Sequence, residues 1–116
     1  MKVKPDSAVP SACVDAEGAK DVAMQVLIGP DDGSRAIIMR LFTVAPGGHT
    51  PYHTHDFEHL VRVQAGRGVL IDAAGEKREL SVGQNVFVAP NEKHQFANPF
   101  GEPFQFTCTI LNPERS

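Results

Sequence analysis

The sequence predicts an all-β domain, a sandwich or barrel, on three observations. From Val22 onward, short apolar runs alternate with clusters of turn residues. The run Phe104–Leu111 alternates strictly, with Phe104, Phe106, Cys108 and Ile110 on one face and Gln105, Thr107 and Thr109 on the other. No segment carries an amphipathic period of the helical kind.

Taken in order, residues 1–20 are polar and broken by Pro5, Pro10 and Gly18, so they are expected to form a loose N-terminal arm. The domain proper is expected over 21–113, with a short tail at 114–116. Its first strand, Val22–Ile28, ends at Gly29-Pro30-Asp31-Asp32-Gly33. The second, Ala36–Val44, is apolar on both faces apart from Arg40. It is expected to be buried on both sides, with a second subunit as one cover, and to end at Pro46-Gly47-Gly48. Strands at Phe57–Val63, Val69–Asp72 and Lys77–Leu80 are separated by Gly66-Arg67-Gly68 and Ala74-Gly75. Asn85–Ala89, His94–Ala97 and Phe104–Leu111 complete the set, with Pro99-Phe100-Gly101 before the last.

At 116 residues the chain can build one core but not two. A net charge of −3 and the lack of any Lys/Arg run speak against nucleic acid as a partner. The N-terminus lacks the apolar stretch of a signal peptide, and no apolar run is long enough to span a membrane. A cytoplasmic location is expected, with Cys13 and Cys108 as free thiols.

The chemistry concentrates in four histidines. His53, His55 and His59 share odd parity, so one extended strand would aim all three at one point. His94, on a separate segment, would supply a fourth imidazole. Neutral imidazole is a common ligand for divalent transition metals, and this clustering points to a metal site. His49 has the same parity but follows Pro46-Gly47-Gly48, and is expected in a loop rather than as a ligand. Glu58 has the opposite parity and should point away. Arg40, a lone charge in an apolar strand, would either pair with a substrate anion or form an ion pair at a surface or interface. Phe96 shares parity with His94 and should lie beside it. Phe104, Phe106, Cys108 and Ile110 would fill the core or wall a pocket. No evident catalytic acid or base stands in either histidine segment.

These residues resemble the cupin family. Gly47 is followed after five residues by His53-Thr54-His55, then after three by His59, and after six more by Gly66, the spacing of the first cupin motif. His59 stands where most cupins have glutamate. Gly83, His94 and Asn98 match the second motif, with Ala89 at its proline and Asn91 at its glycine. Asn91 is a tolerable substitute, because asparagine adopts positive φ more readily than most residues. Val26-Leu27-Ile28-Gly29, Met39-Arg40-Leu41-Phe42-Thr43-Val44 and His55-Asp56-Phe57-Glu58-His59 are similar to the small single-domain cupins with an all-histidine site. That subgroup includes a manganese-binding protein of a thermophilic bacterium.

The resemblance implies a jelly-roll β-barrel of two antiparallel sheets, a metal held inside it by His53, His55, His59 and His94, and a homodimer. It favours manganese, with Fe, Co, Ni, Cu or Zn also compatible with nitrogen ligands. Four neutral ligands would leave the full +2 charge of the ion uncompensated, favouring anionic ligands such as enolates, catecholates or carboxylates. The function expected first is a metal-dependent oxygenase acting on a small organic substrate. The alternatives are a metal-dependent isomerase or lyase, a non-catalytic domain that binds or senses a small ligand, and a structural barrel. The family hosts many chemistries, so the resemblance alone selects none.

Overall fold

The computed structural model describes residues 1–114, so residues 115 and 116 of the expected tail lie outside the described residues. Nine strands form one curled antiparallel sheet, and the other regular elements are two single-turn 3-10 helices, Asp6–Ala8 and Pro30–Asp32. The strands are β1 (Ala12–Cys13), β2 (Lys20–Ile28), β3 (Ile37–His49), β4 (His59–Ala65), β5 (Gly68–Ile71), β6 (Lys77–Leu80), β7 (Asn85–Val88), β8 (Gln95–Ala97) and β9 (Phe104–Leu111). The main path runs β6-β5-β8-β3-β9-β4-β7, with β2 also on β3 and β1 on β2. Apart from the paired neighbours β1–β2, β2–β3 and β5–β6, strands adjacent in sequence are separated across the sheet, as in a jelly roll.

β3 makes the closure. Its first half pairs with β2 and with β9, where Ile37 faces Leu111 and Val44 faces Phe104. Its far end, at His49, pairs with Ala97 of β8. Between them the β2 register shifts, so that Val22 faces Val44 but Lys20 faces His49. Pro46-Gly47-Gly48 therefore bends the strand instead of ending it. Gly47 adopts φ 83, and a side chain at Gly48 would meet the Lys20 carbonyl oxygen at 2.6 Å. His49 is thus a strand residue, not a loop residue, because the glycines let the strand turn the corner and resume pairing.

Asn98 fastens the same corner from the other side. Its Nδ2 donates to the carbonyls of Val44 (2.9 Å) and Glu102 (2.7 Å), and its Oδ1 accepts from Phe100 N (3.0 Å). The backbone closes alongside, with Gly47 N donating to Asn98 O and Asn98 N to Gly48 O. Other turns follow the local chemistry of the sequence. The Asp72 carboxylate accepts from Ala74 N and Glu76 N, and Asp32 accepts from Gly29 N. Asn91 adopts φ 64, the conformation glycine would otherwise supply.

The core lies inside the curl. Val22, Val44, Val61, Val63, Leu80, Val88, Phe96, Phe104, Phe106, Cys108 and Ile110 form one buried cluster. The β9 alternation holds, with Phe104, Phe106, Cys108 and Ile110 inward. Phe106 sits at the centre, its ring 4.5 Å from Phe96, 5.2 Å from Phe104 and 5.3 Å from Phe42. The two-sided burial expected of the second strand does not occur within the single chain, where Ile37 and Met39 are exposed. The arm is not loose throughout. Ala12 and Cys13 pair with Met24 and Ala23, and Gln25 donates to the carbonyls of Asp6 and Val9. Among the described residues no helix is long and apolar enough to cross a membrane.

Candidate functional site

The three odd-parity histidines do not share a strand. His53 and His55 lie in irregular chain between β3 and β4, and only His59 belongs to β4. The loop between β7 and β8 holds the irregular segment in place. His53 and His94 exchange backbone hydrogen bonds in an isolated bridge, at 3.2 and 3.0 Å, and Asn91 N donates to His55 O at 2.6 Å. His59 stands opposite Val88 on β7. The convergence expected from one strand is thus achieved by pinning two loops together.

The four rings gather closely. Ring centres are 4.4 Å apart for His53 and His55, 5.0 Å for His53 and His94, and 5.1 Å for His55 and His59. They are 5.1 Å apart for His59 and His94, and 6.3 Å for His55 and His94. Among the described residues no group of three or more His, Cys, Asp or Glu side chains is arranged to hold a metal ion. The rings are grouped, but their nitrogens are not drawn to one point.

Burial, with charge neighbours adding to it, keeps His53, His55 and His59 neutral. Burial, then the neighbouring His55 and His94, pushes His53 down to about 4. Burial, then His94 and Arg40, pushes His59 down to about 4. His55 is lowered by burial, His94 and Arg40, against the opposing pull of Asp56. At neutral pH these rings carry lone pairs rather than charge. His94 Nδ1 lies 2.8 Å from the Glu92 carbonyl oxygen, which accepts its proton and leaves Nε2 as the free acceptor. His59 Nε2 is buried with no hydrogen-bond partner.

Beside the histidines opens a cavity of about 470 Å³. Its walls are mostly apolar: Val22 and Met24 from β2, Phe42 from β3, Phe96 from β8, Phe106 and Cys108 from β9. Arg40 and Thr50 are polar wall residues, and Ala12 to Ala16 of the arm reach the same space. Arg40 forms no carboxylate ion pair among the described residues. Its Nη2 donates to Cys108 Sγ at 3.2 Å, its Cζ lies 5.0 Å from the Phe42 ring centre, and its Nε is buried without a partner. Burial pushes the Cys108 thiol up, against the lowering effect of Arg40.

Of the expected pocket residues, Arg40, Phe96, Phe106 and Cys108 line this cavity, and the surface ion pair does not form. Phe104 and Ile110 are core residues outside its lining. Phe104 packs on Gly68, where any Cβ would collide with its ring. Glu58 is exposed, as its parity implied, and His49 bonds locally with Thr50 and Gln95. Phe57 was missed. It stacks on both His55 (4.9 Å) and His59 (5.1 Å), and its odd parity already placed it with them. The arm residues carried no such signal, because a two-residue strand has no period.

Solved structures share this architecture. The polyketide cyclase RemF of Streptomyces resistomycificus is 29% identical, with a TM-score of 0.91, covering 96% of this chain and 79% of that one. The cupin-2 domain protein Rru_A2000 of Rhodospirillum rubrum is 26% identical, with a TM-score of 0.81, covering 100% and 77%. A predicted oxalate decarboxylase of Thermotoga maritima, 21% identical, shares the fold with a TM-score of 0.83, covering 95% and 98%. No curated protein matches the chain by sequence. The family model described as "Cupin domain" matches residues 40–110, which contain all four clustered histidines, Arg40 and most of the barrel. The chain belongs to the cupin family.

Proposed function

We propose that this cupin holds a divalent transition metal on His53, His55, His59 and His94 and acts as a metal-dependent oxygenase on a small, electron-rich organic molecule. The observation that carries the metal is His59 Nε2, buried and unpartnered among three other imidazoles. Buried polar nitrogens are rarely left idle, and a ligand role accounts for this one. Ring spacing supports it. Ring centres 4.4 to 6.3 Å apart put the four imidazoles within reach of one ion after modest side-chain rotation. The Glu92 carbonyl bond of His94 is the outer-shell contact that orients a ligand. Manganese is the first candidate, by the resemblance to the all-histidine subgroup.

A bound ion would supply Lewis acidity toward a substrate oxygen and, if redox-active, a route to dioxygen. The chain's own residues do the rest. Phe42, Phe96 and Phe106 offer flat apolar walls to a substrate ring and exclude water. Cys108 stays a neutral thiol and accepts no proton. The one carboxylate on the wall is that of exposed Asp15, on the arm. No carboxylate serves as a base within the cavity, which favours chemistry that needs no strong proton shuttle.

A second function, metal-assisted ring closure without redox change, is favoured by the likeness to a polyketide cyclase across 96% of this chain. Elemental analysis of the wild type, His59→Ala and His94→Ala tests the site. About one transition-metal ion per chain is expected, reduced in both variants. Binding that ignores both substitutions would overturn it. Oxygen uptake with enols and catechols then separates the two functions, since ring closure consumes none. A homodimer is part of the proposal, and the mass in solution tests it.

A further inference from the structure

We infer that Arg40 is the specificity-determining residue of the cavity and that the ligand is an apolar, ring-bearing carboxylate whose charged end docks on this guanidinium. The substrate class deepens the metal proposal and rests on it for the ion, although the Arg40 contact itself is a property of the chain alone.

The inference stands on an unbalanced charge. A guanidinium facing an apolar cavity loses hydration, and proteins ordinarily offset that loss with a carboxylate. Arg40 has none among the described residues. Its partners are a neutral thiol at 3.2 Å and an aromatic ring at 5.0 Å, and its Nε is buried without a hydrogen-bond partner. Asp15, the one acidic residue on the wall, is exposed on the arm and forms no ion pair with Arg40.

The surroundings narrow the ligand further. Arg40, Cys108 and the histidines line the same cavity, and Arg40 is close enough to lower His55 and His59, so one small molecule can meet the guanidinium and the imidazoles together. Phe42, Phe96 and Phe106 line the same cavity and suit the face of a ring. A highly hydrated phosphate or sugar would find too few polar partners there. Neutral imidazoles add no negative charge to repel an anion, and an ion held by them would add to the positive field.

The test uses 2-naphthoate and its neutral counterpart 2-naphthamide as probes, titrated by calorimetry into full-length protein, both metal-free and manganese-reconstituted. Wild type, Arg40→Met and Arg40→Lys are compared, with thermal melts and metal content measured on each. The carboxylate is expected to bind wild type at least about tenfold more tightly than the amide, the worth of a charge-assisted pair. That ratio should fall to about twofold or less in metal-free Arg40→Met, and by a similar factor from the wild-type value in the manganese-loaded variant, with metal content unchanged. Arg40→Lys should retain part of the preference, because it keeps the charge and loses the fork. It also stands in if Arg40→Met fails to fold. A preference that survives in metal-free Arg40→Met, or equals wild type in Arg40→Lys, overturns the inference, as does metal-free wild type that binds the acid no better than the amide. Loss of metal binding with the Arg40-dependent ratio intact would instead refute the metal proposal alone.

Discussion

Replacing Asn98 should be among the most damaging single changes outside the histidine cluster. The side chain is 1% exposed and spends both donors and one acceptor site on the backbone: two donations, to Val44 O and Glu102 O, and one acceptance, from Phe100 N. At about 1 kcal/mol net per hydrogen bond, Asn98→Ala should cost about 3 kcal/mol. For a domain of this size that is a fall of about 12 °C in Tm. Asn98→Asp preserves the shape but sets a carboxylate oxygen against the two carbonyls that now receive N–H groups. It should cost at least as much as alanine at pH 7 and recover partly in acid, where a protonated carboxyl regains one donor. Urea unfolding with an unchanged m value measures the difference. A loss below about 1 kcal/mol for Asn98→Ala, or a milder loss for Asn98→Asp at pH 7, would refute the reasoning that this amide ties the β3 corner to the β8–β9 turn.

Further outcomes follow from the same structure. His53 and His59 titrate near 4 in the folded chain against an ordinary 6.5, so the unfolded chain takes up their protons first. Their contribution to metal-free stability should be full above about 6.5 and lost as pH falls toward 4, and the His53→Gln/His59→Gln double variant should flatten that slope in unfolding curves. NMR midpoints near 6.5 for both rings would contradict it. Gly68→Ala forces a Cβ into the fully buried Phe104 ring and should cost about 1–3 kcal/mol by urea unfolding, whereas Gly75→Ala, with open space but φ 80, should cost about 1 kcal/mol through backbone strain. Iodoacetamide should label exposed Cys13 in the native protein and leave buried Cys108 untouched until denaturant is added, as read by intact mass. Chelation should lower the Tm of metal-loaded protein and leave that of His59→Ala unmoved.

Much of the fold was legible because its signals are local. The β9 alternation, the glycine and aspartate turns, and the positive φ of Asn91 each depend on a few adjacent residues and the physics of their own backbone. Pro46-Gly47-Gly48 misled for a related reason. Glycine and proline mark a change of direction, but a sequence does not say whether pairing resumes afterwards, and here it resumes at His49 and Ala97. The parity argument joined the right histidines on the wrong element. It also contained Phe57, whose ring packs against two of them.

The sequence by itself determined the strand-rich class, the inward face of β9 and the membership of the histidine group, because alternation and spacing are properties of neighbouring residues. Only the tertiary structure decided how His53 and His55 are carried, by backbone hydrogen bonds to a loop about 40 residues away in the chain. It also decided that, of four core residues on one face of one strand, Phe106 and Cys108 also line the cavity while Phe104 and Ile110 do not. And it left Arg40 beside a thiol rather than a carboxylate. Such outcomes depend on which distant strands the closing barrel brings together, and no local period records that choice.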